Sequence, residues 1–253
     1  MGKLKLAMVA AMSLTNGIGK DGGLPWRLKG EMAYFRSVTS YVAEQDKLRG
    51  ARNAVIMGRK TWASIPPKFR PLGGRINIVI SRTCSAQDLG VDPDSKDVKV
   101  FASIEQALKH LAAPAAQHDE NLGRIFVIGG AQLYTDLLNL DSSLATVDKL
   151  LITRILTPHY ECDAYFPEFR TKQQYTHELQ HANEILAEHH ANPPQQDPTS
   201  LLNQAKWTQA STDSLRQYLG NSCPSALLNS PDMVTSEGET WYEYQLWEKQ
   251  GTC

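Results

Sequence analysis

Glu31 is the residue whose type and spacing most invite chemistry. If residues 28–41 form a helix, Glu31, Phe35 and Val38 share one face at i, i+4 and i+7. An unpaired carboxylate on a face of core residues is costly to bury, so it needs a partner or a shifted pKa. A structural Glu paired with Arg or Lys meets that condition. So does a carboxylate on a pocket floor that awaits a cationic or hydrogen-bond-donating ligand.

Other segments look suited to anions. Gly58-Arg59-Lys60-Thr61-Trp62 follows the apolar run Ala54–Met57, so backbone N–H groups, a helix start and a pair of cations converge. Ser81-Arg82-Thr83 follows Ile76–Ile80 and offers hydroxyls and a guanidinium for charge-assisted bonds to phosphate. Gly129-Gly130-Ala131-Gln132-Leu133-Tyr134 follows Ile125–Ile128, and adjacent glycines let a ligand press against bare backbone. Each segment alone reads equally well as turn chemistry. Together they point to a phosphate-bearing ligand, because in open α/β sheets ligands gather at the carboxyl ends of strands.

Upstream, residues 16–26 hold Gly17, Gly19, Gly22 and Gly23 ahead of Leu24-Pro25-Trp26. Such a loop can close on a ligand, with the aromatic as its anchor. Arg75, just before a strand, reads as a surface cation or as a bidentate clamp on a substrate carboxylate. His177-Glu178-Leu179-Gln180-His181 matches H-E-x-x-H. The motif sits in a polar stretch without an evident apolar face, and catalytic zinc needs several protein ligands in a dry cavity. We read it as a solvated helix and expect no metal site.

These residues need a scaffold. The chain has 253 residues, enough for a core without disulfide staples. Continuous apolar runs at Ala7–Met12, Ala54–Met57, Ile78–Ile80 and Ile125–Ile128 suit strands buried on both faces. Helix candidates at 28–41, 60–65, 103–111 and 131–138 alternate with them, which argues for an α/β layered fold. Residues 241–247 read as an aromatic-rich strand that pairs with 206–212. Residues 85–97, 112–123, 172–200 and 220–239 are polar and read as surface insertions. With 26 Lys+Arg against 27 Asp+Glu, the near-neutral chain carries no electrostatic footprint for nucleic acid or an anionic membrane. No apolar run approaches the roughly 20 residues of a membrane span. The four cysteines form no C-x-x-C pair, and with no signal-like start the expected compartment is cytoplasmic.

In order and spacing these motifs resemble dihydrofolate reductase, over Leu6–Pro167 and again at 241–249. The carrying stretches are Gly17-Ile18-Gly19, Leu24-Pro25-Trp26, Glu31 with Phe35, Val55-Ile56-Met57-Gly58-Arg59-Lys60-Thr61-Trp62, and Ser64-Ile65-Pro66. Arg70-Pro71-Leu72, Gly74-Arg75-Ile76-Asn77, Ser81-Arg82 and Ile128-Gly129-Gly130-Ala131 continue the pattern. The insertions look like those of longer eukaryotic, fungal-type forms.

The resemblance implies a single α/β domain over 1–253. Its eight-stranded, mostly parallel sheet would be flanked by helices and end in an antiparallel C-terminal strand, with an adenosine-binding subdomain embedded at about 42–110. It implies cis peptides at Arg70–Pro71 and Gly129–Gly130. It also implies NADPH as cofactor, dihydrofolate and antifolate-type inhibitors as ligands, and a monomer. Glu31 would pair with the 2-amino group and N3–H of the pterin, supported by Thr153. Phe35 would stack on the ring, and Val9, Ala10, Ile128 and Tyr134 would face it, Val9 and Ile128 through carbonyls. Leu24, Ser64, Ile65, Phe69 and Leu72 would line the benzoyl pocket, and Arg75 would hold the glutamate α-carboxylate. Ala11, Gly17, Ile18 and Gly19 would meet the nicotinamide side. Gly58, Arg59, Lys60, Thr61, Ser81, Arg82 and Thr83 would take the 2′-phosphate and nearby groups. Gly129, Gly130, Ala131, Gln132, Leu133 and Tyr134 would cover the pyrophosphate.

The chain departs from the pattern in places. Arg27-Leu28-Lys29 lacks the second proline of vertebrate forms, and Phe69 stands where a polar residue often sits. Residues 13–16 run one longer than in some relatives. The rivals are a riboflavin-pathway NADPH reductase of the same fold, which should lack the Leu-Pro-Trp loop and the pocket carboxylate, and a non-catalytic NADPH-binding protein.

Overall fold

The computed structural model describes residues 3–113, 121–140, 142–188, 201–223 and 232–251. Along them run β1 (Leu4–Ser13), β2 (Gly17–Gly19), α1 (Lys29–Ser40), α2 (Glu44–Lys47), β3 (Arg52–Gly58), α3 (Arg59–Ser64), β4 (Arg75–Ile80), β5 (Val98–Phe101) and α4 (Ile104–Ala112). They continue with β6 (Leu122–Val127), α5 (Ala131–Leu138), β7 (Ala145–Thr157), β8 (Ala164–Tyr165), α6 (Lys172–Glu188), β9 (Trp207–Gln209), α7 (Thr212–Leu219), β10 (Val234–Glu237) and β11 (Thr240–Lys249). The fold is α/β, with one mixed sheet in the order β10-β11-β7-β1-β6-β3-β4-β5 and β9 added on β11. The sheet is the expected one of about eight strands with an antiparallel C-terminal strand, and among the described residues the short β9 adds a ninth. Both expected cis peptides are present, at Arg70–Pro71 and Gly129–Gly130, and Thr157–Pro158 is cis as well.

Chain contacts define two compact units, each discontinuous in sequence. The first comprises Met1–Val9 and Phe35–Asp148. In it β1, β6, β3, β4 and β5 pair in parallel. The apolar runs are continuous because these strands are covered on both faces: Ala54, Val55, Ile56 and Met57 are all fully buried. Register places Gly58 opposite Ile80 and Ile56 opposite Val127, so the carboxyl ends of β3, β4 and β6 lie side by side. Asn53 ties this sheet to the end of α1, donating to the carbonyls of Thr39 and Tyr41 and accepting from the Arg124 N–H. Asn77 likewise grips Leu72, accepting from its N–H at 3.0 Å and donating to its carbonyl at 3.1 Å. Ser103 caps α4 by accepting from the Gln106 N–H.

The second unit comprises Ala10–Tyr34 and Lys149–Cys253. Here β11 pairs antiparallel with β7, β10 and β9, as the aromatic pattern of 241–247 and its pairing with 206–212 predicted. The small ribbon of β2 and β8 holds Gly17 opposite Tyr165.

The stretch from 172 onward corrects the expectation of a polar surface insertion. Its described part forms the 17-residue α6, with Tyr175, Glu178, Ala182, Ile185 and Leu186 buried. Ala182, Ile185 and Leu186 pack on Leu14 and Leu156. The apolar stripe was hidden because its register contains a charge, Glu178, whose cost is met inside the fold. The Arg154 Nε donates to Glu178 Oε1 at 2.8 Å, and Arg170 donates to Glu178 Oε2. Burial alone would raise the Glu178 carboxyl, but the guanidiniums of Arg154 and Arg170 overcome this and hold it below the ordinary carboxylate range. The H-E-x-x-H helix is therefore not a solvated one. Its Glu is an internal counter-ion, and His181 turns to Glu243 at 3.4 Å. The expected insertion 220–239 is likewise corrected in part, since Val234–Glu237 forms β10 on β11, while residues 114–120, 189–200 and 224–231 lie outside the described residues, as does Cys253.

Candidate active site

In the second unit, Glu31 opens the first turn of α1 and is 5% exposed. The helix face expected from spacing is real: Val38 is fully buried and Phe35 half-buried. No Arg or Lys pairs with Glu31 among the described residues. Its neighbour is the Thr153 hydroxyl on β7, which donates to Oε1 at 3.5 Å. Burial pushes the Glu31 carboxyl up to about 7; the Thr153 bond pulls against this and the charge of Glu237 adds to it. Among the described residues no buried salt bridge meets this charge, which leaves a buried carboxyl that holds its proton toward neutral pH. Tyr34 stacks on Tyr244 at 4.0 Å, and the Tyr34 hydroxyl is pushed well up by burial and by the charge of Glu31. Trp26 is buried with its edge against Tyr160, and its indole N–H has no partner among the described residues. Leu24, two residues earlier, stands 52% exposed.

The glycine loop of this unit is built tight where it was expected to be loose. A Cβ on Gly17 would collide with Cys162, 2.7 Å from its Cβ, and the Gly17 N–H donates to the Ser13 hydroxyl at 2.9 Å. The root of the loop is held by buried guanidiniums: Arg154 donates to the Ser13 carbonyl and to Asn16 Oδ1, and Arg170 donates to the Leu14 carbonyl. Ala11 and Ile18 remain half-buried. Neither Arg154 nor Arg170 was singled out in the sequence, because the partners that explain their burial lie far along the chain.

In the first unit, the ends of the parallel strands meet. The Gly58 N–H donates to the Gly129 carbonyl at 2.8 Å. A Cβ on Gly129 would meet Thr61 Oγ1 and the Tyr134 hydroxyl at 3.4 Å, and its φ of 116° is one that side-chain-bearing residues rarely adopt. Tyr134 donates to the Val9 carbonyl at 2.6 Å. Arg59, Lys60, Arg82 and Thr83 are exposed, and none of the cations among them pairs with a carboxylate among the described residues. Ser81 is buried and accepts from the Cys84 N–H.

Arg75 is the most unusual cation of this unit. It is 4% exposed, and it donates to the Thr39 hydroxyl at 2.8 Å and the Gly73 carbonyl at 3.1 Å. No carboxylate pairs with it among the described residues. Burial, with Arg36 adding to it, pulls the guanidinium down to about 10. A buried cation with spare donors is poised for an incoming carboxylate. Phe69 is exposed, as is Ser64, while Ile65 and Leu72 are half-buried.

The family model described as dihydrofolate reductase matches residues 5–192. The dihydrofolate reductase of Cryptococcus neoformans is 44% identical over 179 residues, covering 65% of this chain and 74% of that protein. That of Pneumocystis carinii is 41% identical over 170 residues, covering 66% of this chain and 77% of that protein. That of Saccharomyces cerevisiae is 43% identical over 155 residues, covering 61% and 66% respectively.

Proposed function

The chain belongs to the dihydrofolate reductase family, and from that premise we propose that it reduces 7,8-dihydrofolate to 5,6,7,8-tetrahydrofolate with NADPH, supplying one-carbon metabolism. The observation that carries this reading is Glu31, a buried carboxyl with no Arg or Lys paired to it among the described residues.

The nicotinamide, when bound, supplies the hydride that C6 of the pterin accepts. Glu31 accepts from the 2-amino group and N3–H of the pterin, and these donors favour its ionised form. Thr153 keeps Glu31 aimed, Phe35 stacks on the ring from one helical turn further along, and Val9, Ala10, Ile128 and Tyr134 face its edge. N5 must gain a proton. Glu31 sits at the amino side of the ring, so water supplies that proton while Glu31 orients and polarises the heterocycle. Leu24, Ser64, Ile65, Phe69 and Leu72 exclude water from the benzoyl group. Arg75 takes the α-carboxylate of the substrate's glutamate, which relieves a buried charge.

The residues fit a 2′-phosphorylated dinucleotide. Arg59, Lys60 and Arg82 are exposed cations without carboxylate partners among the described residues, beside the hydroxyls of Thr61, Ser81 and Thr83. They hold the 2′-phosphate and favour NADPH over NADH. Gly58 and Gly129 through Tyr134 cover the pyrophosphate, and Ala11 and Gly17–Gly19 meet the nicotinamide. On this reading residues 42–110 form the adenosine-binding subdomain, and the protein is a cytoplasmic monomer that also binds antifolates. No helix among the described residues is long and apolar enough to cross a membrane.

The test is loss of nicotinamide absorbance when purified protein meets dihydrofolate and NADPH, repeated with NADH. Turnover with clear preference for NADPH is expected, and folded protein that gives none overturns the assignment.

A further inference from the structure

We propose that Glu237, on β10, is a positioning residue that holds the first turn of α1 and thereby aims and electrostatically tunes Glu31. The first N–H groups of a helix have no partner within it. Leu28, which precedes α1, has no side-chain acceptor to offer them. Glu237 supplies one from across the fold: Oε2 accepts from the Lys29 N–H at 2.7 Å and Oε1 from the Gly30 N–H at 2.6 Å. The Tyr242 hydroxyl donates to the same Oε1 at 2.7 Å and fixes the carboxylate in place. Gly30 is shaped for this approach, since a Cβ there would lie 2.8 Å from Glu237 Oε1 and 3.1 Å from the Tyr242 hydroxyl.

The next residue along the chain is Glu31. The groups that face it are Thr153 from β7, Tyr242 and Tyr244 from β11, Tyr34 from its own helix, and Glu237 from β10. Among them Glu237 is the ionised one at neutral pH. Burial works against its charge, but the Tyr242 hydroxyl and the N–H groups of α1 outweigh it and hold the carboxyl below the ordinary range. A fixed negative charge at the start of α1 cancels part of the positive helix end that would otherwise favour ionised Glu31. Glu237 thus orders the turn and at the same time helps Glu31 keep its proton until a ligand's donors arrive.

The substrate role of this device rests on the reductase reading, but the device itself can be tested without substrate. The variants are Glu237→Gln and Gly30→Ala. The first readout is the titration of the Glu31 side-chain carboxyl by NMR in ligand-free protein. The second is kcat and KM against pH with dihydrofolate and NADPH. In both variants the Glu31 midpoint should move to lower pH, by about half a unit. KM for dihydrofolate should rise about fivefold while KM for NADPH stays put, and Glu237→Asp should recover part of the loss. Gly30→Ala separates this role from a merely structural one, because helix propensity alone would make that variant more stable and leave the titration untouched. A Glu31 titration that superimposes on the wild type, or moves upward, in either variant overturns the proposal. Absence of wild-type turnover would instead remove the reductase reading and leave the titration result standing.

Discussion

At the scale of single residues, the chemistry of Glu31 is bound up with the stability of the free protein. Its carboxyl stands at 4.5 in the open chain and at about 7 in the fold. A pKa raised by folding contributes stability that is fully present below 4.5 and is lost as pH rises through about 7. Glu31→Gln removes that loss. The variant should match the wild type near pH 4 and exceed it at pH 8 by up to about 3 kcal/mol, as thermal unfolding of the ligand-free proteins at the two pH values will show. The same change should lower turnover of dihydrofolate by about 10²–10³-fold and leave NADPH affinity intact; equal turnover refutes the role given to Glu31. Glu31 was legible in the sequence because its helical spacing with Phe35 and Val38 is local. Glu237 was not, because its partners Lys29 and Gly30 are joined to it only by the closed fold.

At the scale of elements, legibility followed burial. The strands β1, β3, β4 and β6 announced themselves as unbroken apolar runs, since both their faces are covered. β7 and α6 did not, because each carries a charge into the interior: Arg154 on the one and Glu178 on the other. Each charge looks like a solvent-facing position until its counter-ion is seen, and the pair is separated by 24 residues. Glu178→Ala tests the pairing. It would leave Arg154 buried without its carboxylate partner and Arg170 with Glu168 alone, and it should destabilise the protein by about 3–5 kcal/mol, measured by urea unfolding. Substitution of His177, exposed on the same helix, should change stability by less than about 0.5 kcal/mol. Equal effects at the two positions would contradict the internal counter-ion role.

At the scale of the whole molecule, the net charge of −1 conceals a local imbalance. Arg59, Lys60 and Arg82 follow the ends of β3 and β4, where register brings Gly58 opposite Ile80. The sequence showed these cations but could not show that the parallel register sets their strands in step. Replacing all of them with Ala should raise KM for NADPH at least about tenfold and leave KM for NADH nearly unchanged, so that discrimination between the coenzymes collapses. A uniform rise for both coenzymes would place the 2′-phosphate elsewhere. The buried guanidiniums at the base of the glycine loop have a mechanical effect of their own. The stem, from Ser13 to Asn16, is riveted by charges sealed from water, whereas the tip closes through the paired backbone bonds of Lys20 and Gly23, at 3.0 and 2.9 Å, and through solvent-exposed contacts of Asp21 with Asp163 and of Lys20 with Glu161. A flap riveted at one end unzips from the other. Amide protons at Lys20 and Gly23 will therefore exchange with solvent well before those at the stem, and any breathing of this loop stops short of Gly17.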